Sequence, residues 1–243
     1  MVTIQIVCRH CGSENIIRNG MTSNSKQRFF CKDCSKNSRE DPQPNGYDEK
    51  RKEEILRAYQ ERSSLRGLSR TFGVSRNTVT SWLKKKFHVL PELSKTLQEP
   101  DPSDPEATTL ELDELWSFVL KKARKRWVWL ALCRKSRQVV AFYIGDRSEQ
   151  SCRELWERVP EAYRGGHCYS DFWKAYREVI PEEQHEAVGK ESGETTHIER
   201  WNNTLRQRLS RFVRKSLSFS KSDRMHEICL RLFLHRYNLS RLP

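Results

Sequence analysis

Four polar residues in the C-terminal half have the types and spacing that phosphoryl-transfer chemistry needs. Asp113 and Asp171 each lie at the end of an apolar run, and Glu199 lies near the start of a basic helical stretch. Arg206 follows Glu199 by seven residues, which places both on one face of a helix. A two-metal site uses such carboxylates, and its nucleophile comes from water or the nucleic acid. These four residues are therefore the candidate catalytic set.

This chemistry requires the three carboxylates to converge. Two carboxylates about 4 Å apart repel by roughly 4 kcal/mol at an effective dielectric near 20, so three are tolerated only with cations between them. Mg²⁺ binds one or two carboxylates together with phosphate oxygens. We predict two Mg²⁺ (or Mn²⁺) ions held by Asp113, Asp171 and Glu199. Strand alternation puts Glu111 on the face of Asp113 and Glu114 on the other, so Glu111 is the substitute ligand.

The elements around these residues indicate how they meet. Hydrophobic patterning predicts three consecutive strands, then helix, strand, helix, strand and two further helices. The predicted segments are 107–122, 127–133, 138–144, 148–158, 167–170, 172–179, 185–188, most of 197–222, and 221–239. This is the order of a ribonuclease-H-like α/β domain, a mixed sheet with flanking helices. In that arrangement the first and fourth strands are neighbours, and a later helix faces them.

The stretch 197–222 contains apolar residues at helical spacing and many cations. Glu199 has a simple alternative role there, since a carboxylate near a helix N-terminus complements the helix dipole. Arg208, Arg211 and Lys215 are candidate DNA contacts on this stretch.

The N-terminal segment carries two CxxC pairs. Cys8 and Cys11 precede Cys31 and Cys34, a spacing typical of a closed tetrahedral zinc site. A segment this small cannot bury a sufficient core, so one structural Zn²⁺ is expected to hold it folded. The pattern predicts a zinc-ribbon-like module over residues 1–46, which ends in a Pro/Gly-rich segment.

A helical DNA-binding pattern follows over residues 47–90. A short helix, a turn at Gly73 and a second helix capped by Ser75 predict a helix-turn-helix. The second helix offers side chains that can read bases or contact phosphates. These are Arg76, Asn77, Thr80, Lys84, Lys85 and Lys86. Proline-rich residues 91–106 are predicted to be a linker, and residues 107–243 form the catalytic domain.

Composition favours a nucleic-acid partner. The formal net charge is +13 in 243 residues, and the positive charge is concentrated before residue 100 and after residue 190. Such a field suits a polyanion, with double-stranded DNA first. No apolar run reaches membrane-spanning length, and no signal-peptide pattern opens the sequence. We expect a prokaryotic cytoplasmic, nucleoid-associated protein without a membrane partner.

The sequence resembles the transposases of the first-numbered bacterial insertion-sequence family, in the form that joins the short DNA-binding protein to the catalytic half. The resemblance covers nearly the whole chain. Its N-terminal part rests on CRHCG…FFCKDC and GVSRNTVTSWLK. Its catalytic part rests on LDELWSFV, KRWVWLALCR, YSDFWKAY and HIERWNNTLRQRLSRFVRKSLSFSKS.

The resemblance implies a DDE transposase that binds terminal inverted repeats and joins them to target DNA. Asp113, Asp171 and Glu199 match the acidic triad, and Arg206 matches the basic residue seven positions after the glutamate. Cys133 departs from relatives that carry an aspartate there. Pairing of two element ends implies a homodimer or larger assembly on DNA.

Two other readings stay open from the sequence. One is a zinc-dependent DNA-binding regulator whose catalytic half is inactive. The other is a ribonuclease-H-like nuclease that cuts DNA without joining it. The intact acidic triad disfavours the first, and a joining step separates the second from a transposase.

Overall fold

The computed structural model describes residues 6–23, 25–39, 46–215 and 217–243, and the chain divides into two compact units, 1–49 and 50–243. Most of the Pro/Gly-rich segment predicted to end the first module, 41–46, lies outside the described residues. Among the described residues, no helix combines the length and the apolar character that crossing a membrane requires.

The first unit is built on a three-stranded antiparallel sheet. Its strands are β1 (Ile16–Met21), β2 (Gln27–Cys31) and β3 (Asn37–Arg39), in spatial order β1-β2-β3. Apart from the cysteines, only Phe29 among its described apolar residues is buried. A unit with so little apolar burial needs a further source of stability.

The second unit begins with three helices, α1 (Glu49–Tyr59), α2 (Leu65–Phe72) and α3 (Arg76–His88). Ser64 and Ser75 cap α2 and α3 with their side-chain oxygens, and Gly73 closes α2 in the left-handed conformation with φ 67°. Glycine adopts that conformation at little cost, which allows the tight turn between the two helices.

The sheet of the second unit is mixed and has five strands, as the hydrophobic pattern predicted. The strands are β4 (Leu110–Phe118), β5 (Lys125–Cys133), β6 (Val139–Gly145), β7 (Cys168–Ser170) and β8 (His185–Ala187), in spatial order β6-β5-β4-β7-β8. The first three strands are antiparallel, whereas β7 pairs parallel with both β4 and β8. The predicted juxtaposition of the first and fourth strands is confirmed.

Helices cover both faces of this sheet. The helices are α4 (Glu149–Glu157), α5 (Glu161–Arg164), α6 (Lys174–Val179), α7 (Thr196–Arg208) and α8 (Asp223–Leu239). One buried cluster joins Leu112 and Trp129 to α4 and α6, and a second joins Leu115 and Leu130 to α7 and α8. Successive strand residues point to opposite faces, so β4 contributes to both layers.

Helix α7 is shorter than predicted. It ends at Arg208, because Leu209 has extended dihedrals, φ −107° and ψ 106°. The Arg208 carbonyl accepts a hydrogen bond from the backbone N–H of Arg62, 2.6 Å away. Leu209 and Phe212 are buried all the same, because the extended residue Leu209 and the 3-10 turn Ser210–Phe212 that follows it direct both side chains into the core. Tertiary packing therefore overrides the helical spacing that these apolar residues suggested.

Residues 91–108, predicted to contain the linker, are fastened to the body of the second unit. The segment contains two 3-10 turns, Leu93–Thr96 and Pro105–Thr108. Thr96 is buried, and its hydroxyl oxygen accepts a hydrogen bond from the Asn238 side chain on α8. Helices α1 and α3 also share a core with α8. The boundaries at residues 46, 90 and 106 stay predictions.

Candidate active site

The four predicted catalytic residues line one cavity of about 350 Å³. Asp113 comes from the middle of β4, Asp171 follows the end of β7, and Glu199 and Arg206 come from α7. The parallel pairing of β4 with β7 brings the two aspartates to one edge of the sheet, although 58 residues separate them in the sequence. We name this space the acidic cavity.

Asp113 is the most constrained carboxylate of the acidic cavity. Its Oδ1 accepts the N–H of Glu114 at 2.8 Å, and its Oδ2 accepts a hydrogen bond from Asn202 Nδ2 at 2.5 Å. Burial, together with the charges of Glu114, Asp171 and Glu199, raises the pKa of Asp113 to about 7. Burial and the neighbouring acids therefore disfavour the charged form of Asp113, and a cation bound beside it would relieve both effects.

The oxygens of the three carboxylates do not lie close enough together to form a compact set of metal ligands. Within the described part of the chain, the one group of three or more His, Cys, Asp or Glu ligand atoms lying within 4.8 Å of one another is formed by the cysteines. Asp171 and Glu199 are exposed at the cavity mouth, and Asp171 Oδ1 accepts the N–H of Trp173. The donor set consists of hard oxygen ligands, which suits Mg²⁺ or Mn²⁺ rather than a softer metal.

The basic side of the acidic cavity is formed by Arg206 and Arg214. Arg206 donates to the carbonyl oxygens of Phe212 and Trp116, at 3.2 and 3.4 Å, and has no carboxylate partner among the described residues. Burial, with the nearby charge of Arg214, lowers the pKa of Arg206 to about 10. Two neighbouring guanidinium groups that no carboxylate neutralises suit a phosphate.

Glu111, the predicted substitute ligand, contacts the start of α7. Its side chain is fully buried, and Oε2 accepts the backbone N–H groups of His197 and Ile198 at 3.0 and 2.9 Å. Oε1 accepts from Arg134 Nε at 3.1 Å and lies 2.6 Å from His197 Nδ1. Glu111 caps the start of α7, which positions Glu199 two residues further on. The backbone of α7 and the side chains of Arg134 and His197 thus occupy both its oxygens, and its role as a substitute ligand for Asp113 stays a prediction.

Glu114 faces the other side of β4, as strand alternation predicted. It accepts hydrogen bonds from Tyr176 Oη and Arg147 Nε, both at 2.8 Å. The Arg147 guanidinium lies over the rings of Trp127 and Trp173, 4.7 and 4.0 Å from their centroids. Trp173 in turn donates its N–H to Asp171, so this chain of contacts joins the two aspartate-bearing strands.

Asn202 was missed in the sequence. It lies on the face of α7 that carries Glu199 and Arg206, three residues after the first and four before the second. It is 7% exposed, and its Oδ1 is buried without a hydrogen-bond partner in the described structure. The helical spacing was the signal that could have found it.

The four cysteines of the first unit form the second candidate site. Cys8 Sγ lies 3.6 Å from Cys34 Sγ, and Cys11 Sγ lies 3.6 Å from Cys31 Sγ. A tetrahedral zinc site with Zn–S distances of about 2.3 Å has sulfurs about 3.8 Å apart, so the set fits one ion. The backbone N–H of His10 points at Cys8 Sγ and lowers the pKa of that thiol to about 6, which favours the thiolate a metal requires.

Comparison with known proteins gives the family. The model of the IS1 transposase family, a DDE transposase domain, matches residues 107–239, more than half of the chain and all of the acidic cavity. The chain belongs to the IS1 transposase family. A second model, of the InsA N-terminal domain, a zinc ribbon, matches residues 1–35 and includes all four cysteines.

Curated relatives agree with this assignment. The insertion element iso-IS1n protein InsB of Shigella dysenteriae is 39% identical over 131 residues, 54% of this chain and 97% of the relative. The insertion element IS1 protein InsB of Shigella flexneri is 38% identical over 117 residues, 48% of this chain and 86% of the relative. This IS1-family transposase is therefore a DDE-type enzyme of an insertion sequence, with a zinc-ribbon N-terminal module.

The predicted DNA contacts of this transposase have varied surroundings. Arg76, Asn77, Lys84, Lys85 and Lys215 are exposed, and Thr80 is half-buried. Lys86 pairs with Glu53, Arg208 pairs with Glu61, and Arg211 donates to Tyr59 Oη. These last three side chains already have protein partners.

Proposed function

We propose that Asp113, Asp171 and Glu199 hold two Mg²⁺ (or Mn²⁺) ions and that the acidic cavity carries out cleavage and strand transfer at the ends of an insertion sequence. The single observation that carries the proposal is the convergence of three acids and Arg206, from three separate parts of the fold, on one cavity. The strand order β6-β5-β4-β7-β8 supports a ribonuclease-H-like domain.

Two ions held by Asp113, Asp171 and Glu199 would activate the attacking oxygen and stabilise the leaving oxygen. In the first step water attacks the phosphodiester at the element end, and the bond to the 3′-oxygen breaks to leave a 3′-hydroxyl. In the second step that hydroxyl attacks a target phosphodiester, and one target 3′-oxygen leaves. Each step exchanges one P–O bond for another, so no protein nucleophile is required.

The protein groups orient and balance this reaction. Asn202 holds the Asp113 carboxylate through the Nδ2–Oδ2 hydrogen bond and so fixes the direction of its ligand oxygens. Glu111 fixes the start of α7 and thereby the position of Glu199. Arg206 and Arg214 provide the cationic side that holds a phosphate of the terminal DNA.

The N-terminal parts supply recognition in this proposal. One Zn²⁺ held by Cys8, Cys11, Cys31 and Cys34 stabilises the zinc ribbon, and α2 with α3 forms a helix-turn-helix that binds the terminal inverted repeats. The exposed first turn of α3 carries Arg76 and Asn77, which can read guanine and adenine edges. Two ends are paired by a homodimer or larger assembly on the bacterial nucleoid.

A strand-transfer assay tests the proposal. Full-length protein is mixed with a labelled duplex of the element end, a plasmid target and Mg²⁺ or Mn²⁺. We expect a joined product that Asp113→Asn, Asp171→Asn and Glu199→Gln abolish, whereas Glu183→Gln, at an exposed glutamate outside the acidic cavity, retains it.

Three other results would overturn the proposal. Folded triad variants that still join DNA would remove these residues from the active site. Metal-dependent cutting by the wild type that never yields a joined product would indicate a nuclease, and specific binding without cutting would indicate a regulator.

A further inference from the structure

One buried histidine contacts both ends of the connection between α7 and α8. His226 on α8 stacks on Phe212, with ring centroids 4.4 Å apart and an interplanar angle of 25°. Its Nδ1 lies 2.9 Å from Ser220 Oγ, and its Nε2 lies 3.2 Å from Ser117 Oγ. His226 therefore contacts Phe212 and Ser220 at the two ends of this connection, and we name the described residues between them, 213–215 and 217–219, the bridge.

The bridge is exposed and follows the end of β4. Leu120 donates its N–H to the Ser220 carbonyl oxygen at 2.8 Å, and the Phe118 and Phe219 rings lie 5.4 Å apart. Leu217 is 97% exposed, which is unusual for a leucine anchored so closely on either side. A fixed but uncovered segment is suited to contact a partner.

Three cavities follow one another along this bridge. The acidic cavity shares Arg214 with a second cavity of about 330 Å³, which also contains Lys215. The second cavity shares Leu217 and Phe219 with a third, of about 780 Å³. The third cavity is lined by the first turns of α2 and α3, so the series connects the acidic cavity with the proposed recognition helix.

The two outer cavities are strongly basic. No aspartate or glutamate is among the described residues that line them. Their cations are Arg66, Arg70, Arg76, Lys121, Lys122, Arg211, Arg214, Lys215 and Lys221. In the described structure none of the nine pairs with a carboxylate, although such pairs are frequent elsewhere in the second unit. This charge suits the phosphate backbone of a nucleic acid.

Helices α2 and α3, which line the third cavity, share a buried core with α8. They cannot move independently of α8 without exposing that core. Leu68, Val79 and Leu83 of the helical segment pack in one buried cluster with Ile228 and Leu232 of α8. Tyr59 Oη also lies 3.1 Å from Cys229 Sγ inside this core. The first turn of α3 therefore has a set position relative to the acidic cavity.

We propose that the three cavities form one continuous DNA-binding groove, through which a single duplex end passes from α3, along residues 213–215 and 217–219, to the acidic cavity. The proposal rests on the DNA recognition by α3 proposed above. It adds that the protein sets the distance between the recognised bases and the cleaved bond, because one rigid unit contacts both.

The first test measures DNA binding as a function of salt concentration. Full-length protein is titrated with a duplex of the element end and with a random duplex, as wild type and as Lys215→Ala, Lys221→Ala and the double variant. Each lost phosphate contact is expected to reduce the slope of log affinity against log salt by about 0.9 on both duplexes. Arg153→Ala, an exposed cation on α4 outside the groove, is expected to keep the wild-type slope.

A nuclease footprint on the bound duplex then locates the DNA positions that Lys215 contacts. We expect the protections that Lys215→Ala loses to lie between those that Arg76→Ala loses and the cleaved bond. Unchanged salt slopes for both lysine variants, or lost protections outside that interval, would overturn the groove. If Arg76→Ala and Asn77→Ala still lower the preference for the element end, recognition by α3 survives that failure. If they do not, recognition by α3 fails too.

Discussion

The four cysteines and the three carboxylates are two candidate metal-ligand sets that one chain assembles in opposite ways. The cysteines come from two short local pairs, and their sulfurs already lie 3.6 Å apart in a unit with almost no apolar core. The carboxylates come from β4, β7 and α7, which two apolar layers position, and they stay farther apart. If both sets bind metal as proposed, the ion would stabilise the fold of the first unit, whereas the fold of the second unit forms the cavity before any ion binds.

Metal removal is expected to have the largest effect, and to affect the two units differently. We expect a strong zinc chelator, or Cys31→Ser, to unfold the first unit completely, because four thiolates around one ion replace a core there. All seven tryptophans lie between residues 82 and 201, so tryptophan fluorescence reports only on the second unit and is expected to stay unchanged. Amide signals from residues 6–39 measure the first unit. Simultaneous collapse of both units would contradict the distinction.

Glu111→Ala should lower the free energy of unfolding of the second unit even when no metal is bound. It leaves two α7 N–H groups and Arg134 without their carboxylate, and breaking a buried pair of this kind costs about 3–5 kcal/mol. Chemical denaturation followed by tryptophan fluorescence measures the loss. Glu186→Ala removes an exposed carboxylate on β8 and serves as the control, with an expected change under about 1 kcal/mol. A similar result for both variants would argue against Glu111 as the cap of α7.

Acid should weaken the second unit through His226. Burial lowers the pKa of His226 from 6.5 to about 4, so between these values the unfolded chain binds a proton that the folded chain does not. The free energy of unfolding therefore falls as pH decreases through this window, by about 3 kcal/mol in all. Thermal unfolding of a 50–243 fragment across this range tests the slope. His226→Gln should flatten it, while His88→Gln, at an exposed histidine, should not.

Asp113→Asn should stabilise the second unit when no divalent cation is bound. The pKa of Asp113 is raised from 3.8 to about 7 chiefly by burial, so the carboxylate destabilises the fold increasingly as pH rises through that range. With partial exposure taken into account, the gain is about 2 kcal/mol at pH 8 and close to zero below pH 4. Melting temperatures in EDTA measure it. A variant less stable than wild type at pH 8 would show that the cavity is not strained by charge.

Much of the fold follows from local sequence patterns. The bounds of α2 agree with the prediction to the residue, and β5 and β6 begin and end within two residues of it. These segments carry their own signals, a capping serine with a terminal glycine in α2 and continuous apolar runs in the strands. The spacing of the CxxC pairs likewise predicted the cysteine cluster, because a closed zinc site needs little beyond its ligands.

The α7–α8 connection shows where local pattern fails. Leu209 and Phe212 have the spacing of an α-helical face, yet Leu209 is extended and Phe212 ends a 3-10 turn, and both are buried. A backbone hydrogen bond from Arg62 and the stacking of Phe212 on His226 end the helix, and both partners are distant in sequence. The spacing of apolar residues predicts which side of a segment is buried. It does not predict which distant N–H group will bind the carbonyl groups at the end of a helix.

Contacts with residues distant in the sequence likewise decide the different roles of the neighbouring acids Glu111 and Asp113. The sequence by itself determined the family, the cysteine ligands and the three acids, since residue types and spacings carry that information. Only the tertiary structure decided that Glu111 caps α7, that Asn202 holds Asp113, and that the basic residues of two neighbouring cavities lie between the acidic cavity and α3. The physical reason is that a carboxylate's function depends on which donors and charges surround it, and packing of distant elements brings those groups together.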